Sequence, residues 1–142
     1  MIAYWIRILL VLPLLFFTTH EAPAQSPSSP KALLEKADRC ADTLLKAKDK
    51  KKLRHKWTEC IEAYHDVALR SPQGEEAGWA LYKGAKLQEN LFGYSGKPQD
   101  LDAAVELYRG VVNEHPNHRV ADDAQYMIGE IYYHEKNDVP QD

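Results

Sequence analysis

Ala104-Val105-Glu106-Leu107-Tyr108-Arg109-Gly110-Val111-Val112-Asn113-Glu114-His115-Pro116 sets a small residue, an aromatic four positions later, a small apolar residue three beyond that and a proline five further. Spacings of three and four return side chains to one face of an α-helix, and proline cannot continue the helix that carries them. Shifting the chain by 44 residues superposes Tyr64 on Tyr108, Val67 on Val111 and Pro72 on Pro116. The same shift pairs Glu62 with Glu106, Ala77 with Ala121, Ala80 with Ala124 and Tyr82 with Tyr126, and sets Cys60 opposite Ala104. Average residue usage would give about two identities over such a stretch, so the match is a structural repeat.

Outward from this stretch the periodicity stays helical. Leu33, Leu34, Ala37, Cys40, Ala41, Leu44 and Leu45 form the stripe of a first helix. The hydrophilic run Lys48–Lys52 reads as a solvated turn. A second helix carries Trp57, Cys60, Ile61, Tyr64, Val67 and Ala68 and stops at Pro72. A third runs from Glu75 to about Leu91 and closes at Gly93, and Gly93–Pro98 reads as a loop. A fourth covers about Asp100–Glu114 and a fifth about Val120–Glu135. No stretch alternates with period two, so the expectation is an all-α chain of helical hairpin repeats with five helices.

The motif Ala104, Tyr108, Val111, Pro116, with Gly129 and Tyr132 supplying an earlier part of it, resembles the tetratricopeptide repeat. That family stacks helical hairpins into a solenoid that presents a surface to other proteins. The loop between helices here is expected to be about eight residues longer than in the 34-residue repeat. Phe92-Gly93-Tyr94-Ser95-Gly96-Lys97-Pro98 and the following Asp100–Tyr108 look like the tetratricopeptide-like region preceding the catalytic domain of some Gram-negative N-acetylmuramoyl-L-alanine amidases, a likeness covering roughly residues 31–142. Residues 121–133 are similar to periplasmic repeat proteins of the outer-membrane assembly and Tol-Pal coordinator type. These resemblances imply a cell-envelope setting near peptidoglycan. By resemblance the inner face of the array is lined by Trp79, Tyr82, Lys86, Glu89, Asn90, Tyr126, Glu130, Tyr133 and His134, while Tyr64 and Tyr108 fill the core.

At the amino terminus Arg7 precedes the apolar run Ile8–Phe17, and Ala22-Pro23-Ala24 forms a small-x-small site. This pattern predicts a signal peptide over residues 1–24, cleaved after Ala24, so that membrane contact is transient and the chain is periplasmic. Residues 25–30, Gln-Ser-Pro-Ser-Ser-Pro, read as a flexible linker, with the repeat domain over 31–142. The 18 basic and 21 acidic residues leave a net charge of -3 with the signs interspersed, which excludes nucleic acid as the partner.

Export places Cys40 and Cys60 where a disulfide can persist, and each lies ten residues from the turn near Lys50. A bridge and a pair of small reduced core residues are both open. None of the six histidines sits in a zinc-binding spacing, and His115 and His118 flank Pro116 in what reads as a solvated turn. No metal, cofactor or catalytic residue is therefore expected. On the fifth helix Met127, Ile128, Ile131 and Tyr132 have no following helix to cover them, so either a further segment or a partner is expected there. The leading expectation is a non-catalytic adaptor binding an envelope protein or peptide. The alternative is the amino-terminal region of a zinc-dependent cell-wall amidase.

Overall fold

The computed structural model describes residues 29–137 apart from Lys50 and Lys52. The expected signal peptide 1–24, most of the expected linker and two of the three residues Lys50–Lys52 lie outside the described residues. The described part is five helices: α1 (Pro30–Lys46), α2 (Arg54–Arg70), α3 (Glu75–Ser95), α4 (Pro98–Glu114) and α5 (Ala121–Asn137). No strand occurs among the described residues, and no helix among them is long and apolar enough to cross a membrane. Each helix packs on the next, and α1 also touches α3.

Local chemistry sets the helix ends. The Ser29 hydroxyl accepts from the Ala32 amide at 3.2 Å, and Pro30 at the first helical position loses only a donor that would have been unpaired. α1 thus begins within the last residues of the stretch read as linker, just before Lys31. Glu75 and Glu76 in the first turn of α3 complement its dipole.

The largest departure from expectation is at the other end of α3. Gly93 does not end the helix, and the expected loop Gly93–Pro98 is mostly helical. The left-handed closing residue is Gly96, with φ 61°, its amide donating to the Phe92 carbonyl at 2.7 Å. The added turn lays Tyr94 against Trp57, with ring centroids 5.9 Å apart, and lets the Ser95 hydroxyl reach Asp100. Pro98 then opens α4 as its first residue. The extra length of the repeat therefore goes into the helices, and the loop expected to be long is two residues.

Two apolar clusters share α3. Ala37, Ala41, Leu44, Trp57, Cys60, Tyr64 and Val67 meet Ala80, Leu87 and Leu91 on one side. Ala104, Val105, Tyr108, Val111, Val120, Ala124, Ile128 and Ile131 meet Ala85 on the other. Tyr64 and Tyr108, related by the 44-residue shift, are both buried, one in each cluster. Cys40 and Cys60 form a disulfide between α1 and α2 with their Cα atoms 5.4 Å apart.

Asp100 is the one buried charged residue among those described, at 2% exposure. Arg54 from the start of α2 grips both its oxygens, one at 3.0 Å, and Ser95 donates to it from the end of α3. These hydrogen bonds, Arg54 foremost, hold its carboxyl below the usual range.

Candidate functional site

The first helices of successive hairpins, α1, α3 and α5, border two clefts. The α3–α5 cleft, of about 380 Å³, has Phe92, Leu101, Met127 and Ile131 for its floor and Glu89, Tyr126, Glu130 and His134 around it. Four of the nine inner-face residues expected from sequence are thus brought together. Lys86 and Asn90 line the α1–α3 cleft instead, with Asp38, Asp42, Leu45 and Lys83.

The remaining three sit elsewhere. Trp79 packs edge-on against His118 from the α4–α5 turn, 5.5 Å between ring centroids, with the Arg119 guanidinium 5.1 Å from its ring centre. Tyr82 packs edge-on against Tyr108 at 5.6 Å, under the Lys86 ammonium at 5.8 Å. Both aromatics pack edge-on against neighbouring elements under a cation, and neither lines a cleft. Tyr133 is 65% exposed and lines neither cleft, its ring lying against His134.

The α3–α5 cleft is polarised. His134 Nε2 lies 3.9 Å from Glu130 across one helical turn. Tyr126 is 63% exposed, and its hydroxyl is pushed up chiefly by hydrogen bonding to Glu130. At the inner edge the Glu89 carboxyl and the Tyr108 hydroxyl are buried side by side, and neither has a hydrogen-bond partner other than the other. Burial pushes the Glu89 carboxyl up, and the nearby Tyr108 hydroxyl and Lys86 ammonium pull it partly back. Burial, with the Glu89 charge beside it, pushes the Tyr108 hydroxyl well above its ordinary value.

The face of α5 expected to be uncovered is narrower than the sequence suggested. Ile128 and Ile131 are buried against the second cluster, at 8% and 7% exposure, because α4 and α3 already cover that side. Met127 is half-buried at the cleft floor, and Tyr132 is 42% exposed while accepting from Arg109 at 2.7 Å.

His118 is not simply a solvated turn residue. Its Nε2 donates to the Glu75 carbonyl at 3.1 Å and its Nδ1 accepts from Val120 at 3.4 Å, and its ring covers Gly78 so closely that an added Cβ would lie 2.7 Å away. No group of three metal-ligating side chains occurs among the described residues.

Sequence reasoning missed the Asp100 corner, the His118 contact and the Phe92–Leu101 floor. The signal for the last was available: Phe92 and Leu101 are large apolar residues on either side of the stretch read as loop.

No curated protein and no solved structure matches the chain. The tetratricopeptide repeat family model matches residues 79–118. That segment is α3 from Trp79 onward, α4 and the turn to His118, so the matched unit is one hairpin of the array. The described chain is accordingly an all-α array of helical hairpins whose central hairpin is similar to a tetratricopeptide repeat.

Proposed function

We propose that this protein is a non-catalytic interaction scaffold of the cell envelope, exported to the periplasm, and that it holds a segment of a partner protein in the α3–α5 cleft. The observation that carries the reading is the cleft itself, an apolar floor with charged and aromatic groups at its rim between two first helices. Such a floor gains from losing water, and the rim orients what enters. The match to a repeat that commonly mediates protein interactions supports the same reading. The disulfide favours an oxidising compartment over the cytosol.

A photoreactive phenylalanine at position 126 should cross-link a partner in the envelope fraction, whereas one at Leu69, 64% exposed on α2, should not. Equal labelling from both positions, or none from position 126, would sink the cleft as the docking site. Fusion to alkaline phosphatase tests export: an inactive fusion places the chain in the cytosol. The amidase alternative draws on the likeness of Phe92–Tyr108, which here forms the α3–α4 corner around Gly96 and Asp100. The reading frame of the gene beyond Asp142 decides it, since a zinc-ligand constellation there would assign this module to a hydrolase.

A further inference from the structure

The two clefts share part of one frame. The 44-residue shift carries Leu45, Lys83, Lys86 and Asn90 of the α1–α3 cleft onto Glu89, Met127, Glu130 and His134 of the α3–α5 cleft. Their chemistry differs position by position. In the first cleft Lys83 donates to both oxygens of Asp38, at 2.9 and 2.8 Å, and Lys86 lies over the Tyr82 ring, so its cations already have partners inside the protein. In the second, Met127 replaces that lysine and leaves an apolar floor, and the positions of Leu45 and Lys86 have become acidic. Glu89 is half-buried at the inner edge beside the Tyr108 hydroxyl, and Glu130 is half-exposed at the rim. The Tyr82 hydroxyl nearby is pushed up by burial first and then by the negative charges of Asp123 and Glu89.

We propose that the α3–α5 cleft selects a partner segment in which an apolar side chain is flanked, within one turn, by a lysine or arginine. The apolar group covers Met127 and Ile131, and the cation sits between the Glu89 and Glu130 carboxylates. This rests on the reading of the cleft as a docking site and adds the chemistry of the occupant. The charge follows from the cleft's own balance. A purely apolar segment would strip water from the half-exposed Glu130 carboxylate without supplying a donor, and an acidic one would be repelled by Glu130 and Glu89. A basic neighbour supplies the donor and the opposite charge, and complementarity of this kind sets selectivity more than raw affinity. The α1–α3 cleft shares part of that frame and lacks this demand, because its ion pair closes internally.

Two capped glycine-serine nonapeptides, one with a central Leu-Leu-Lys and one with Leu-Leu-Glu, test the proposal in amide-shift titrations of the full chain at low salt. The lysine peptide should move the amides of residues 126–134 and bind at least about tenfold tighter than the glutamate peptide. Glu130→Lys, at a half-exposed position, should invert that preference while its remaining spectrum shows an intact fold. Equal perturbation of the cleft by both peptides, or a Glu130→Lys variant that keeps the original preference, would overturn the charge rule and leave the cleft a docking site. Failure of both peptides to perturb the cleft would overturn the docking reading along with it.

Discussion

Two residues illustrate how single side chains hold the array in register. The His118 ring bridges the α4–α5 turn to the start of α3, and the absence of a side chain at Gly78 is what admits it. Gly78→Ala should therefore destabilise the protein, because a ring fixed by Glu75, Val120 and Trp79 has little room to retreat. In a His118→Ala background the same substitution should stabilise by up to about 1 kcal/mol, through helix propensity. Thermal melts of the four proteins check the sign reversal, and a cost that persists without His118 would refute the account. Asp100 gives a pH-dependent case. Its folded-state carboxyl is lowered, so the stability it brings is present above its unfolded value and lost as pH falls through the folded one. Asp100→Asn should cost about 1–2 kcal/mol near neutrality, and its Tm should approach that of the unmodified protein as pH drops below about 4. A gap unchanged down to pH 2 would show that charge plays no part. Neither contact was legible in the sequence, since Arg54 and Asp100, or Gly78 and His118, meet only once the helices have packed.

At the scale of elements, periodicity was a good guide and punctuation a poor one. The stripes from Leu33 to Leu45 and from Trp57 to Ala68 located α1 and α2, because their apolar spacing has no other reading. Gly93 misled for a physical reason: glycine permits a helix to end without requiring it, and here the Tyr94–Trp57 contact and the Ser95–Asp100 bond reward one further turn. The inner-face residues taken from the repeat pattern divide between two clefts and neighbouring contacts for a similar reason. The pattern gives the helix face, while the α4–α5 turn decides whether Trp79 on that face remains free. The Cys40–Cys60 bridge gives this scale its own test. It closes a separation of 20 residues, so reduction, or the Cys40→Ala, Cys60→Ala double variant, should cost about 3 kcal/mol and lower the Tm. A melt unaffected by reductant, with thiol titration confirming that the bond has opened, would show that the α1–α2 pairing does not depend on it.

Over the whole molecule, α3 is the spine that both clusters share, with Ala80, Leu87 and Leu91 turned to one and Ala85 to the other. Neither the α1–α2 pair nor the α4–α5 pair can leave without stripping cover from α3, so the array should unfold in one transition although repeats are in principle separable. Trp57 reports on the first cluster and Trp79 on the second side of α3. Urea titrations of Trp57→Phe and Trp79→Phe, each referenced to far-ultraviolet circular dichroism, should give midpoints that coincide with the loss of helix. An earlier fluorescence change from Trp79 than from Trp57 would mean that the carboxyl-terminal half melts alone.

The covalent bridge lies wholly within α1 and α2, whereas the cleft is walled by α5, which leans chiefly on α4. The two ends of the array are therefore held differently, the first by a covalent bond as well as packing and the second, among the described residues, by packing, and recognition is proposed at the second. Docking there would add contacts to α5 alone of the two end helices, so an occupant should leave its mark as slowed amide exchange along α5 well before any shift in the cross-linked end.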